Sequence, residues 1–437
     1  MHSENDLRRF PRAPHVLSGA VRRPKLVPPG LLRENANFRR YYVGQSVSLL
    51  GDQIAGIALP LTAILTLNAG PGQVAAIGVA YLIPNLLFAL HAGVWIDRRG
   101  KRRQTMLLAD FGRGILTASI PIAYAFDALT WAQLYIVAFP LGTLSVAFGV
   151  AAGSVFQTIV PKEDYVGASS LLNGTRGASF LVGYSVGGSL VQLLQGPYAL
   201  AVDAGSFLWS ALFLGRIDAE EPPAATRESG GIGSGLRWIR DNAIVRAGLL
   251  GVATLNLFNF MFAALFVLYA TNYLHVPPKT LGLVLGVAAV GTLGMSYLAG
   301  AVARRIGLGP AFILGCFLFP APLILIPAAH GPYVLILAFL FVAELLSGVG
   351  LMLLDILAGA MMAGVIPMAM RARVSGGFQV VNYGVRPVGA AIGGALGATI
   401  GVQTTLWIAT VGALLGLAFL LPSPIRTMRE LPEEAEI

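Results

Sequence analysis

Gly-Val-Trp-Ile-Asp-Arg-Arg-Gly-Lys-Arg-Arg, residues Gly93 to Arg103, wedges five cations and one acid between two long apolar runs. Lys and Arg are retained on the cytoplasmic face during insertion while acids count for little, so Arg98, Arg99, Lys101, Arg102 and Arg103 orient the chain on either side. As a pattern the stretch is Gly-x-x-x-Asp-Arg-x-Gly-x-Arg, with Gly93 and Gly100 allowing a tight turn at the membrane surface.

The composition agrees. Of 437 residues 56% are hydrophobic and 12% charged, and the mean hydropathy is +0.72, whereas a soluble domain carries roughly 25% charge. Net charge +9 could suggest nucleic acid, but no polar folded surface exists to carry a basic patch, so no nucleic-acid partner is expected. Cys316 is the only cysteine, which rules out an intrachain disulfide. No HExxH, GxSxG, P-loop or paired-Cys spacing occurs, and the five histidines are scattered. Neither an enzyme nor a metal or cofactor site is expected.

About 20 apolar residues span a bilayer core. Such runs lie near 41–67, 73–96, 104–126, 131–158, 167–195, 197–215, 247–273, 280–303, 309–328, 332–362, 372–400 and 402–421. The expected fold is an all-α membrane protein with 12 transmembrane helices in two pseudo-symmetric six-helix halves. Its organisation reads as a basic Pro-rich tail 1–40, a first half 41–215, a linker 216–246 with an amphipathic helix, a second half 247–421 and a tail 422–437. Nearly all Lys and Arg fall on alternate loops, Lys279 alone lying on the other side, which places both termini in the cytoplasm. A shift of 206 carries Pro161 to Pro367, Asn173 to Gln379 and Gly183, Gly187 and Gly188 to Gly389, Gly393 and Gly394, and Asp52 falls on Asn256. These glycines make Gly-x-x-x-Gly faces for close helix approach.

Ionisable groups inside apolar helices are costly and therefore functional suspects. Gln45, Ser48 and Asp52 form one stripe on the first helix. Asp52 is a proton carrier or an acid capping or pairing with a neighbour. Glu344, well inside the tenth helix, ranks beside it, and Asp355 is expected to pair with Arg304 or Arg305. Arg113, Arg176 and Arg386 cannot lose their charge and need an anion, from the protein or from substrate. Asp110 lies three residues from Arg113 and can pair with it. Asn173 beside Arg176, and Gln379 and Asn382 beside Arg386, form comparable stripes, while Asn256, Asn259 and Phe260 share a face of the seventh helix. With Phe180 and Tyr184 these residues read as an amphipathic cavity wall or as plain packing. Asp203 reads as a local packing acid.

The Gly93–Arg103 loop resembles that between the second and third helices of the major facilitator superfamily. Asn37, Phe38, Arg39, the Gly51-Asp52 pair, Asp110 to Arg113 and Gly235 to Arg240 narrow the resemblance to the branch of macrolide efflux proteins and catecholate siderophore exporters. The resemblance implies a substrate cavity between two halves near the midplane. It further implies a proton-driven exporter, an antiporter of amphiphilic small molecules, powered by the proton gradient with no cofactor. Such a protein is expected to sit as a monomer in the lipid bilayer of a bacterial-type plasma membrane. The cytoplasmic gate would comprise Gly93, Asp97, Arg98, Gly100, Arg102, Arg304, Arg305 and Asp355, with Asp97 by the N-terminal end of the eleventh helix. Tyr184 stands where such antiporters carry a proline, which leaves an importer or facilitator as the rival. A lipid scramblase or membrane-embedded enzyme is the rival of another class.

Overall fold

Helix starts follow from local chemistry. Asn35 Oδ1 accepts from Phe38 N at 2.8 Å to cap α1 (Ala36–Leu61), and prolines open α2 (Pro71–Arg99), α6 (Gly196–Gly215) and α8 (Pro278–Ile306), where a missing N–H costs nothing. The first half is completed by α3 (Arg102–Ala125), α4 (Trp131–Ile159) and α5 (Tyr165–Leu194). The second contains α7 (Ala243–Asn272), α9 (Leu308–Leu318), α10 (Tyr333–Val365), α11 (Met368–Thr399) and α12 (Val402–Ala413). The computed structural model describes residues 30–218 and 232–430, with the side chains of 89–90, 92–94, 97–98, 232, 369 and 372 outside that description. The expected basic tail up to residue 29, the linker's Pro- and Gly-rich part and residues 431–437 also lie outside it. Among the described residues there is no strand.

Eleven described helices are long and apolar enough to cross a membrane. α11 falls short on hydropathy rather than on its 32 residues, because Asn382, Tyr383 and Arg386 interrupt it. Two boundaries differ from the sequence reading. The expected run 309–328 is helical only to Leu318 and resumes as a 3-10 turn, Ala321–Leu325, because Pro320 and Pro322 cannot donate to the ladder. The start of the final tail is packed rather than free: Ile425 is fully buried, and Leu308 N and Gly309 N donate to Arg429 O at 3.1 Å and Met428 O at 2.8 Å.

The apolar cores are divided unequally. One cluster runs through both halves, joining Ile57 and Leu61 of α1 to Leu265 of α7, Leu281 and Val284 of α8 and Leu340 of α10. All these residues lie toward one end of the bundle. At the opposite, basic end, the first half has its own core around Phe38, Ile96, Met106 and Leu214. The second half has two, around Phe312 and Leu353 and around Ile239 and Val374. The halves therefore share a core at the far end and keep separate cores at the basic end. The linker helix, Ile232–Asp241, belongs to the second half, with Ile239 3% exposed and Leu236 and Ile239 facing Gly377 of α11.

Candidate functional site

The seam between the halves is tight at the far end. A Cβ at Gly188 of α5 would overlap Pro278 O and lie 3.0 Å from Gly282 Cα of α8. A Cβ at Gly394 of α11 would overlap the Ala75 side chain of α2 and lie 3.5 Å from Gly72 Cα. Contact loosens along both pairs, where a Cβ at Gly177 would lie 3.3 Å from the Leu293 side chain and one at Gly384 3.2 Å from that of Leu86. Beyond these, Gly174 and Gly376 face open space, and Asn173, Arg176 and Gln379 are exposed. The space between the halves opens at the basic end.

The first half places a polar cluster behind this seam. Gln45 Nε2 donates to Ser210 Oγ at 3.4 Å, and Ser206 Oγ donates to Asp203 Oδ1 at 3.3 Å. Arg113 donates through Nη2 to Asp110 Oδ1. Of the two partners open to Arg113 by sequence, the protein's own anion is the one seen, and the Arg113 guanidinium does not line the cavity. It is 4% exposed, with its guanidinium 4.3 Å from the Phe148 ring centroid and 4.4 Å from that of Phe207. Pairing and stacking together offset the burial of this cation. Asp52, Asp110 and Arg113 all lie within electrostatic range of Asp203, and Tyr81 of α2, bonded to Ser145 Oγ at 3.4 Å, borders the same cluster. Asp52 itself makes no ion pair among the described residues.

In the second half, Asn256 Nδ2 donates to Asn382 Oδ1 at 2.8 Å, tying α7 to α11. Arg386 lies 5.1 Å from the Phe260 ring and 4.4 Å from the Tyr383 ring. Asn259 is half-buried one turn from Asn256. Glu344 is half-buried on α10, has no ion pair among the described residues, and lies within electrostatic range of Tyr184. Tyr184 stacks toward Phe180, ring centroids 6.0 Å apart, and its hydroxyl lies 3.4 Å from where a Cβ at Gly56 of α1 would be. Thus Tyr184 reaches from α5 to α1 in the first half and to the surroundings of Glu344 in the second.

The gate differs from the sequence reading. Asp355 pairs with neither Arg304 nor Arg305 among the described residues; it lies within electrostatic range of Arg386 instead. Arg304 and Arg305 are exposed at the end of α8. Gly100 takes φ 64° and ends α2, its N–H donating to Ile96 O at 3.1 Å, a conformation that suits glycine. Arg102 is 6% exposed at the start of α3. The side chains at Gly93, Asp97 and Arg98 lie outside the described residues.

Sequence reasoning reads Asp203 as a local packing acid and does not single out Ser206 and Ser210, which share its face. Their steps of three and four on α6 were the available signal, the same spacing that singled out Gln45, Ser48 and Asp52.

Two helical halves, joined at one end and parted at the other, with acids buried at mid-depth, define a multi-pass membrane transporter. The chain belongs to the Major Facilitator Superfamily, whose sequence profile matches residues 41–253 and 248–436. It is 29% identical over 306 residues to the multidrug efflux pump Tap of Mycobacterium tuberculosis (strain ATCC 25618 / H37Rv), covering 64% of this chain and 71% of that protein. To the multidrug efflux pump Tap of Mycolicibacterium fortuitum it is 26% identical over 396 residues, covering 84% of this chain and 90% of that one. Its fold is similar to that of a bacterial homologue of the iron transporter ferroportin in an inward-facing state. That match has TM-score 0.72 and 18% identity, and covers 89% of this chain and 98% of the other. The nucleoside transporter NupG matches with TM-score 0.69 and 12% identity, covering 88% and 98%.

Proposed function

We propose that the chain is a proton-coupled exporter of amphiphilic small molecules that works by alternating access. The observation that carries this reading is the pair Asp52 and Glu344, one acid in each half at membrane depth, neither with an ion pair among the described residues. Such groups are expensive as fixed charges and are suited to taking up and releasing a proton as the cavity changes sides. The shared core at one end and the separate cores at the other support rocking of two rigid halves. Phe180, Tyr184, Phe260 and the Asn256–Asn382 pair offer apolar area with a few fixed polar groups, which suits drug-sized amphiphiles. Kinship with proteins named as multidrug efflux pumps supports the same substrate class. In this reading the basic end and both termini face the cytoplasm of a plasma membrane, the protein acts as a monomer, and the proton gradient replaces any cofactor.

The test is accumulation of a lipophilic cationic dye in inside-out vesicles with an acidified lumen. Asp52→Asn and Glu344→Gln should each abolish dependence on the gradient; full dependence in both refutes the coupling. Import in the same fold is favoured by Tyr184 at the proline position of the fifth helix, and gradient-driven loss of dye from the same vesicles would select it.

A further inference from the structure

Asp203 is 2% exposed, yet its one hydrogen bond among the described residues comes from Ser206 Oγ at 3.3 Å. Two helices press on it. From α1, a Cβ at Gly51 would lie 2.6 Å from Asp203 Oδ1, so only the absent side chain lets the two helices meet there. From α3, a Cβ at Gly114 would lie 3.3 Å from Ala204 O. The charged and titratable groups facing Asp203 are Asp52 from α1, Asp110 and Arg113 from α3, and Tyr81 from α2; none from α4 or α5 is within range among the described residues.

Three carboxyls therefore surround one guanidinium. Arg113 is already committed, bonded to Asp110 and stacked between Phe148 and Phe207. That leaves Asp52 and Asp203 beside the Gly51 seam within range of Arg113 but with no ion pair of their own among the described residues, and two neighbouring buried carboxyls do not both ionise.

We propose that Asp203 is a positioning residue for proton exchange at Asp52, the two carboxyls holding one proton between them across the Gly51 seam. Loading takes one proton from water outside into the pair, and release returns it to water inside through Asp52, which lies on the stripe with Gln45 and Ser48. Asp203 stays behind α1, held by Ser206, and its charge lets Asp52 reload at a pH where an isolated carboxyl would stay empty. The inference rests on Asp52 as the proton carrier.

The experiment is the pH profile of gradient-driven dye transport by the purified full chain in proteoliposomes. Asp203→Asn moves the half-maximal pH to lower values by on the order of one pH unit, because a neighbouring anion no longer favours the protonated form of Asp52. Asp203→Glu keeps the charge and the wild-type midpoint, and Gly205→Ala, a control on α6 whose new Cβ meets open space, leaves the profile in place. Should Asp203→Asn fail to fold, Gly51→Ala retains both acids, pushes the seam apart and moves the midpoint the same way. A wild-type midpoint in Asp203→Asn, or in Gly51→Ala where it replaces it, overturns the inference, as do equal shifts in Asp203→Asn and Asp203→Glu. If Asp52→Asn keeps full gradient dependence, Asp52 is not the carrier and the reading on which this inference rests has failed; if Asp52→Asn loses it while Asp203→Asn is unmoved, only the role of Asp203 has.

Discussion

Gly188→Val should force the far end of the bundle open. The new Cβ would overlap Pro278 O and sit 3.0 Å from Gly282 Cα and 3.1 Å from Gly282 N, all backbone atoms that cannot rotate away. Overpacking of this kind costs about 1–3 kcal/mol. The cost falls on the state in which α5 and α8 touch and is absent once they part, so the equilibrium shifts toward far-end opening by roughly 5- to 150-fold. Ala75 of α2 is a suitable reporter, being 2% exposed on the other seam, where it meets Gly394. The chain's only cysteine, Cys316, is 2% exposed, so background labelling is low. In an Ala75→Cys background, a membrane-impermeant maleimide added outside should react faster by that factor when Gly188→Val is present. Gly294→Val on α8, facing open space, serves as control and should change nothing. Unchanged labelling in a folded Gly188→Val protein would refute the claim that these glycines close the far end.

Three further outcomes follow from particular contacts. Asp110→Asn or Arg113→Met alone should cost about 3–5 kcal/mol by stranding a buried charge, whereas replacing both with apolar residues of similar volume should cost far less; detergent unfolding curves compare them. Asn382→Ala removes the 2.8 Å bond to Asn256 and should lower stability by about 0.5–1.5 kcal/mol in SDS-driven unfolding. Gly235→Val should lift the linker helix off α11, because a Cβ there overlaps Arg373 O and lies 2.6 Å from Arg373 C. Trypsin should then cleave after the exposed Arg237 and Arg240 on the order of tenfold faster, and an unchanged rate would mean the helix is not docked there.

Much of the fold is written in one-dimensional features. The alternation of apolar runs with basic loops located the helices, and the Gly93–Arg103 pattern found the turn that Gly100 makes with φ 64°. Proline chemistry breaks the ninth span that hydropathy alone reads as continuous, because Pro320 and Pro322 are apolar enough to keep the run yet remove ladder donors. Pairings were less legible because periodicity reports one helix face and says nothing of what stands opposite. Depth alone matches Asp355 with Arg304 and Arg305, yet it is Arg386 that lies within its electrostatic range. Spacing alone leaves Arg113 open to Asp110 or to substrate, and Phe148 and Phe207, distant in sequence, close over it. Asp203 was set aside for the same reason, its significance depending on Gly51 across the seam.

Lone acids exchanging protons against a drug-like solute are the centre of the account, and proton counterflow measures that directly. Proteoliposomes carrying the purified chain and a trapped pH-sensitive fluorophore should register proton movement opposite to an imposed gradient of cationic dye, and the Asp52→Asn, Glu344→Gln double variant should register none. Dye movement with no accompanying proton flux in the unmodified chain would contradict it.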